Sequence, residues 1–308
     1  MTLCVSTHRL TLHLHPDMNR EISFCIRFSG LTLRFVLPTT VNLPENFTSL
    51  ICEDVENPTA EYKVCLLKTP LCPESKPISK EGDTHIYVTD KGCLRIYSAL
   101  TADDGCQVAC LLCKNGKNIL YYPAKMWDYY RKYWHCTHLL AGELLLMWHN
   151  AFLLHSSVVI LNGKAVLFSG PSGIGKSTQA MLWAQHLNAD IINGDRCVVT
   201  KKDEVFYGGG SPWSGTSGIF KSEQAPIAGI LLLSKSNENS ITGLKSEAFA
   251  PLYSQTTVNS WDREFVDKVS DFYSELLSKV SVYELKCRPD KDAVMLAYNT
   301  LFKKGDFV

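Results

Sequence analysis

Polar and apolar residues alternate in short runs through the first part of the chain. The runs are broken by Pro, Gly and Asn, as in "EISFCIRFSGLTLRFVLP", "EYKVCLLKT" and "HIYVTDKGCLRIYSAL". A period of two is typical of strands with one buried face. The pattern therefore predicts a mostly antiparallel β region built from hairpins, which we place at residues 19–126. Residues 1–18 fit the pattern poorly, and we expect them to be disordered or to lie outside this fold.

The period changes after residue 126. Apolar residues recur at helical spacing in "HLLAGELLLMWHNAFLL", which predicts a connecting helix over 127–150. Strand-like and helix-like runs then alternate, which is typical of an α/β domain, here 151–308. Within it, "IAGILLLSK" and "ITGL" predict a hairpin, and "SWDREFVDKVSDFYSELLSKV" predicts an amphipathic helix capped by Ser260. The segment "VSVYELKC" predicts a strand and "PDKDAVMLAYNTLF" the closing helix.

Length and charge limit the possible functions. A chain of 308 residues can form two ordinary domains. Lys plus Arg equals Asp plus Glu, at 31 each, so no overall field attracts nucleic acid or an anionic membrane surface. No apolar run approaches the roughly 20 residues of a membrane helix, and His and Arg interrupt the N-terminus too often for a signal peptide. We expect a cytoplasmic protein with neither nucleic acid nor membrane as its partner.

The 12 cysteines lie mostly in apolar, strand-like runs, where free Cys behaves as a small hydrophobe. We therefore expect reduced thiols. Cys106, Cys110 and Cys113 have the C-x3-C-x2-C spacing of some iron–sulfur sites. In a strand, however, the first two would lie on one face and the third on the other, so they would not converge. We expect no metal cluster there, and none at His135 and His138.

The stretch "GPSGIGKS" at 170–177 matches the phosphate-binding pattern G-x-x-x-x-G-K-[ST]. The strand-like run "KAVLF" precedes it, and "TQAMLWAQHL" follows with apolar residues on one helical stripe. A strand, a glycine turn and a helix N-terminus direct backbone N–H groups and the positive helix end at one spot. The alternative is a structural glycine turn. The residues that we predict to bind nucleotide are Gly170, Pro171, Ser172, Gly173, Ile174, Gly175, Lys176, Ser177 and Thr178.

Two side chains of this motif have chemistry suited to a triphosphate. The ammonium of Lys176 can bridge β- and γ-phosphate oxygens, and the hydroxyl of Ser177 can ligate Mg²⁺. The sequence therefore predicts ATP and Mg²⁺ as cofactors.

A histidine is predicted to face the phosphate motif. Asn162-Gly163 between apolar runs is a strong hairpin signal, so the strand before the turn should pair with the strand that leads into the motif. If Leu161 pairs with Lys164, the numbers of paired residues sum to 325, and His155 comes opposite Gly170, about 5 Å away. We predict a functional role for this histidine. The alternative is a structural histidine.

An acid follows the next strand. In "ADIINGDRCVV", Ile191 and Ile192 form a short buried strand and Asp195 falls just past its end, the side of an α/β sheet where ligands bind. We predict that Asp195 holds Mg²⁺ and takes part in catalysis. The alternative is a turn residue. Arg196 can face phosphate or solvent.

A glycine-rich stretch, "YGGGSPWSGTSGI" at 207–219, predicts a loop and not a core strand. Its N–H and hydroxyl groups can bind an anion or an acceptor substrate, with Trp213 as an apolar lid. The alternative is a passive linker. The residues that we assign to this candidate substrate loop, besides Arg196, are Gly210, Ser211, Pro212, Trp213, Ser214 and Gly215.

These motifs together resemble the C-terminal catalytic domain of HPr kinase/phosphorylase over about residues 150–300 and, more remotely, ATP-dependent phosphoenolpyruvate carboxykinase. The resemblance is carried by "LLHSSVVILNGKAVLFSGPSGIGKS" and "INGDR", and it extends to stand-alone HPr-kinase-like proteins encoded near peptide-tailoring genes. It implies a P-loop domain with a mixed sheet, ATP with Mg²⁺, and transfer of the γ-phosphoryl to a serine hydroxyl. His155, Lys176 and Ser177 match family positions. The resembling kinases assemble into rings, which implies a possible homo-oligomer.

One departure from the family concerns catalysis. The kinases have two adjacent aspartates where this chain has Gly194 and Asp195. Either Asp195 serves both metal and proton transfer, or His155 takes the proton, and the reverse phosphorylase activity is not carried over. We predict an ATP-dependent kinase acting on a hydroxyl of a peptide, protein or small metabolite. The alternative is a catalytically impaired nucleotide-binding regulator or scaffold. A carboxykinase-like lyase is disfavoured because the chain is too short for it and lacks a second set of metal ligands.

Overall fold

The computed structural model describes residues 21–132, 134 and 136–303. The predicted outlying segment 1–18 and His135 fall outside them. The chain forms two compact units. One contains Leu31–Leu145 with the described residues before Phe28, and the other contains Phe28–Gly30 with the described residues from Leu146 onward. Within the described ranges, no helix is long and apolar enough to cross a membrane.

The first nine strands of the chain form one mixed sheet. The strands are β1 (Ile22–Phe28), β2 (Leu31–Leu37), β3 (Ile51–Cys52), β4 (Ala60–Leu67), β5 (Ser79–Glu81), β6 (Thr84–Val88), β7 (Gly92–Thr101), β8 (Gln107–Cys113) and β9 (Lys117–Pro123). Their order is β3-β1-β2-β4-β9-β8-β7-β6-β5. Strand β4 is parallel to both β2 and β9, whereas β5 to β9 pair antiparallel in sequence. Periodicity predicted the strands and their hairpins, but not that β4 lies between two parallel neighbours.

The described cysteines are thiols, with no disulfide bond among them. Cys106 lies just before β8, whereas Cys110 and Cys113 lie within it, and all three are buried. Burial raises the pKa of the Cys110 thiol far above its ordinary value, so this thiol stays protonated. Among the residues that the structure describes, no group of three or more His, Cys, Asp or Glu is arranged to hold a metal ion.

The helix predicted over 127–150 was wrong in its extent. A short helix α1 (Glu45–Thr48) comes earlier in the chain, and the predicted region contains α2 (Trp127–Tyr130) and α3 (Gly142–Trp148). Ala141, immediately before α3, has a φ of 47°, and Asn150 after it has a φ of 50°. Left-handed backbone of this kind cannot continue an α-helix, so both positions bound the helix. The last apolar residues of the predicted helix belong to the next strand.

The second mixed sheet belongs to the second unit. Its strands are β10 (Ala151–Leu161), β11 (Lys164–Ser169), β12 (Asp190–Asn193), β13 (Arg196–Lys202), β14 (Val205–Gly209), β15 (Gln224–Lys235), β16 (Ser240–Leu244) and β17 (Val282–Cys287). The order is β11-β10-β13-β14-β15-β17-β16, with β12 beside β10 and a further parallel pair between β11 and β15. The helices of this unit are α4 (Lys176–Leu187), α5 (Phe249–Ser254), α6 (Arg263–Lys279) and α7 (Lys291–Phe302). The fold is therefore mixed α/β, built on two mixed sheets.

The β10–β11 hairpin has the predicted register. Leu161 pairs with Lys164 and Ser156 with Ser169, and the turn residues Asn162 and Gly163 have φ values of 51° and 71°. Positive φ at both positions is the two-residue turn whose twist matches that of paired strands. Strand β10 also changes neighbours along one edge, because residues 151–155 pair with β13 and residues 158–160 with β12, while β11 pairs with residues 156–161 along the other edge. His155 is the last residue before this change.

Two predictions for the C-terminal third were wrong. Strands β15 and β16 do not form a hairpin, because β17 lies between them, parallel to β15 and antiparallel to β16. Helix α6 is capped by Asp262, whose carboxylate accepts a hydrogen bond from the N–H of Phe265, and not by Ser260. The predicted strand over "VSVYELKC" and the closing helix are confirmed as β17 and α7.

Helices α4 and α7 pack against one face of the second sheet. Trp183 and Ala180 of α4 are buried, and the ring of Trp183 meets that of Phe168 on β11 with centroids 5.6 Å apart. Val294 and Ala297 of α7 belong to the same core. Because this packing fixes α4 against β11, it also fixes the loop that connects them.

Candidate functional site

The loop between β11 and α4 contains the phosphate-binding motif. Gly175, the N-cap residue of α4, has a φ of 119°, and no side chain caps this helix end. A φ of this size is strained for residues other than glycine. The first turn of α4 therefore begins with its backbone amides next to the loop, which is the arrangement that binds anions at helix N-termini.

Lys176 is the first residue of α4, and its side chain folds back under the loop. It is buried, and its ammonium Nζ donates hydrogen bonds to the carbonyl oxygens of Gly170 at 2.9 Å and Pro171 at 3.1 Å. Burial lowers the pKa of Lys176, and the carboxylate of Asp195 acts in the opposite direction. The motif therefore holds the Lys176 side-chain nitrogen inside the loop, within hydrogen-bond distance of two carbonyl oxygens.

The carbonyl of Gly194 links the start of α4 to the residues that follow β12. It accepts hydrogen bonds from Ser177 Oγ at 3.2 Å and from Ser157 Oγ at 2.8 Å. Asp195 is the next residue in the chain. The two predicted Mg²⁺ ligands, a hydroxyl and a carboxylate, therefore adjoin the same peptide group.

The imidazole of His155 contacts the carboxylate of Asp195, with Nε2 3.2 Å from Oδ1. The main chain supports this contact, because the N–H of Ser156 donates to the carbonyl of Asp195 at 2.9 Å. On the other side of the ring, Nδ1 lies 3.3 Å from Oε1 of Gln255, and the N–H of His155 donates to the Gln255 carbonyl at 2.8 Å. Each ring nitrogen of His155 therefore lies next to a polar partner, which positions the imidazole.

The pKa of His155 is lower than that of an ordinary histidine. Burial is the largest cause, and the ammonium of Lys176 and the guanidinium of Arg196 act in the same direction. The carboxylate of Asp195 and the hydrogen bond to Gln255 partly oppose them. The net effect favours the uncharged ring, which is the form that accepts a proton.

Asn193 organises the turn that carries Asp195. Its side chain is fully buried, and Oδ1 accepts hydrogen bonds from the N–H groups of Asp195 and Arg196, both at 2.9 Å. Its Nδ2 donates to the carbonyl and hydroxyl oxygens of Ser211 and to the carbonyl of Trp213, at 3.1–3.3 Å. Only an amide can accept on one side and donate on the other in this way. The residue was present in "INGDR", but the sequence did not reveal its role.

The glycine-rich stretch is partly a strand, contrary to the prediction. Tyr207, Gly208 and Gly209 lie in β14 and pair with β13 and β15. Glycine allows close packing at position 208, because a Cβ there would lie 2.7 Å from Leu167 Cδ1. Residues 210–214 form a loop, followed by a 3₁₀ turn at Gly215–Ser217.

The loop packs against the acid-bearing turn. A Cβ on Gly215 would lie 2.7 Å from the carboxyl carbon of Asp195, and one on Gly194 would lie 2.4 Å from the Ser217 side chain. Arg196 also faces this carboxylate, with Nε 3.6 Å from Oδ2, while its Nη1 donates to Thr257 Oγ1 at 2.7 Å. The side chain of Ser217 therefore occupies the space into which a side chain at position 194 would project.

The structure thus gathers His155, Lys176, Ser177, Asp195 and Arg196 around the loop between β11 and α4. Other predicted residues have different surroundings. These are Ser172, which is exposed; Ile174, which packs on the core; Pro212 and Ser211, which are buried; and Ser214, whose carbonyl accepts from Ser217 Oγ. Gln255 and Thr257, from "SQTTVNS", are contacts that no sequence signal indicated.

No protein-family model matches the sequence, and no curated protein matches it. Among solved structures, the chain is similar to the Hpr(Ser) kinase/phosphatase from Coxiella burnetii. The match has 10% sequence identity and a TM-score of 0.30, and it covers 49% of this chain and 97% of that one. A likeness at this TM-score is distant and does not support an inference about activity.

Proposed function

We propose that the protein is an ATP-dependent kinase that transfers the γ-phosphoryl group of ATP to a hydroxyl of a peptide, a protein or a small metabolite, a serine hydroxyl above all. The observation that carries the proposal is the contact between His155 and Asp195 in the same unit, beside a P-loop whose Lys176 is buried under the loop. Phosphoryl transfer depends mainly on positioning and charge neutralisation, and this arrangement offers both.

The P-loop residues 170–178 hold the triphosphate in this proposal. Ser177 and Asp195 would hold Mg²⁺, because both are oxygen ligands and both adjoin Gly194. When bound, Mg²⁺ neutralises the charge that develops on the phosphate oxygens. Lys176, which now donates to the carbonyls of Gly170 and Pro171, would supply its ammonium to the phosphate oxygens of the nucleotide.

The proton of the acceptor hydroxyl passes to the His155–Asp195 pair. A general base must lie within hydrogen-bond reach of the proton that it takes, and its pKa must leave it unprotonated at working pH. The lowered pKa of His155 favours the unprotonated ring, and the 3.2 Å contact lets the proton be shared with Asp195. In this proposal the His155–Asp195 pair takes the proton, in place of the second aspartate of the resembling kinases.

A transfer assay with γ-labelled ATP and Mg²⁺ tests the proposal, with serine peptides and small hydroxyl compounds as acceptors. Lys176→Ala removes a preorganised charge-stabilising donor, so transfer should fall roughly 10²-fold to 10³-fold. Lys164→Ala is the matched control, because Lys164 is exposed at the start of β11 and should leave transfer unchanged. Unaltered turnover in Lys176→Ala, or a chain that ignores ATP in magnesium buffer, would rule the proposal out.

The second candidate function is a nucleotide-binding regulator or scaffold. The observation in its favour is that Gly194 supplies no carboxylate and that the Ser217 side chain fills the adjoining space. This function predicts ATP binding that Lys176→Ala weakens, without transfer to any acceptor or to water.

A further inference from the structure

A cavity of about 470 Å³ adjoins the start of the P-loop within the second unit. Gly170 and Pro171 form one wall, and Ser234 near the C-terminal end of β15 and Glu284 in the middle of β17 form another. The segment around α5 closes it with Glu247 and Gln255. Cavities of roughly 300–1,000 Å³ hold small molecules, so this one fits a metabolite or a single side chain with its flanking backbone.

Two walls of the cavity belong to the proposed catalytic machinery. Gly170 and Pro171 are the residues whose carbonyls hold the Lys176 ammonium. Gln255 contacts Nδ1 of His155 through Oε1 and binds its N–H through the main chain. Gln255 therefore connects the cavity with His155, part of the pair that takes the acceptor's proton, and this places the acceptor side of the loop next to Gln255.

The charge of the walls narrows the class of acceptor. Among the described residues that line the cavity, two are carboxylates, Glu247 and Glu284, and none is Lys, Arg or His. Glu284 accepts a hydrogen bond from Ser234 Oγ at 3.1 Å, and Lys286 Nζ lies 3.8 Å from its other oxygen. Glu247 accepts from the N–H of Lys245 at 2.9 Å, and backbone hydrogen bonds lower its pKa, so it stays ionised. Lys286 lies near Glu284 and Lys245 near Glu247, but neither lysine lines the cavity, so the charged groups on its walls are the two carboxylates.

We propose that this cavity binds the phosphoryl acceptor, and that the acceptor is a small hydroxyl compound or side chain carrying an ammonium or guanidinium group near the hydroxyl. The proposal rests on the kinase function proposed above. In the reaction, the acceptor oxygen forms a bond to the γ-phosphorus of ATP while the bond from that phosphorus to the β–γ bridging oxygen breaks. ADP leaves with that electron pair, and the hydroxyl proton goes to the His155–Asp195 pair.

The experiment measures binding to the full chain without nucleotide, by ligand-observed NMR. The probes share one carbon chain and differ in charge: 4-aminobutan-1-ol is cationic, butane-1,4-diol is neutral and 4-hydroxybutanoate is anionic. The cation should bind roughly threefold to tenfold more tightly than the neutral probe, and the anion should not bind. Glu284→Gln and Glu247→Gln should each reduce the preference for the cation.

Glu238→Gln is the matched control, because Glu238 is exposed, does not line the cavity and changes the net charge by the same amount. Circular dichroism checks that each variant folds. If Glu284→Gln does not fold, Glu247→Gln still tests the proposal, because Glu247 is exposed. Equal binding of the three probes, or an unchanged preference in both variants, would overturn the proposal. So would displacement of 4-aminobutan-1-ol by adenosine, which would assign the cavity to a nucleoside.

The two proposals can fail separately. If the affinities of the three probes follow their charge, and Glu284→Gln abolishes that order, the cavity proposal is supported. If no phosphoryl group is transferred from ATP in the same protein, the kinase function is contradicted. Transfer from ATP to acceptors regardless of their charge supports the kinase function and contradicts the cavity.

Discussion

The imidazole of His155 lies with Nε2 3.2 Å from Oδ1 of Asp195. The two residues stand at particular points of the sheet: His155 is the last residue of β10 that pairs with β13, and Asp195 follows the end of β12. The backbone hydrogen bond from Ser156 to Asp195 sets the spacing of the pair. A proton can therefore pass between ring and carboxylate without movement of either strand.

The first prediction concerns the pKa of His155. The Asp195 carboxylate raises this pKa and the Lys176 ammonium lowers it, so Asp195→Asn should lower it further and Lys176→Met should raise it toward the ordinary value of about 6.5. NMR titration of the ring Cε1–H signal, assigned with His155→Gln, measures the shift. Shifts of the same sign in both variants would contradict the assigned contacts.

The same lowered pKa makes stability depend on pH. Because folding lowers the pKa of His155, the unfolded chain binds more protons than the folded one once the pH falls below about 6.5. This contribution to the free energy of unfolding is complete above that pH and is lost progressively as the pH falls toward the folded pKa. Denaturant unfolding of the parent and of His155→Gln between pH 5 and 8 measures it. A parallel pH dependence in the two proteins would show that His155 is not its source.

Gly215 provides a test of how closely the glycine-rich loop packs on Asp195. In Gly215→Ala the new methyl group would crowd the carboxylate at 2.7 Å, and transfer should fall because Asp195 is displaced. Gly218→Ala is the control, because φ there is 63°, similar to 55° at Gly215, but no atom lies within 4 Å of its added Cβ. Alanine strains the backbone to a similar extent at both positions. Only Gly215→Ala should therefore lose more transfer activity than its loss of stability explains. Equal transfer by the two folded variants would contradict the packing argument.

Asn193 is predicted to act through Asp195. Removing the amide in Asn193→Ala leaves the N–H groups of Asp195 and Arg196 without their acceptor, and kcat should fall roughly tenfold to a hundredfold, as for other residues that orient a ligating carboxylate. Measurements on the folded fraction separate this from the loss of stability. In an Asp195→Asn background the same change should lower kcat no further. Additive losses in the double variant would assign Asn193 a purely structural role.

The packing of α4 against the sheet is open to a stability test. Trp183→Ala should lower the free energy of unfolding by about 3–5 kcal/mol, because a fully buried ring against Phe168 is removed. Met181→Ala on the same helix is the control, since Met181 is 56% exposed and the change should stay within about 0.5 kcal/mol. Chemical denaturation measures both. A loss in Trp183→Ala no larger than that of the control would mean that this helix does not depend on the core for its position.

The sequence by itself determined the local parts of this protein. The turn at Asn162-Gly163 set the register of β10 and β11, and the strand, loop and helix of the motif follow from residues that are neighbours in the chain. Such signals are readable because turn chemistry and periodicity act within a few residues.

Only the tertiary structure decided which strands became neighbours and which distant side chains met. The insertion of β17 between β15 and β16, the contacts of Gln255 with His155, and the buried hydrogen bonds of Asn193 join segments far apart in the chain. A hydrophobic pattern specifies that a strand has a buried face, but not which partner covers it. That choice depends on packing and on the pairing of every buried polar group, which exist only once the whole unit has folded.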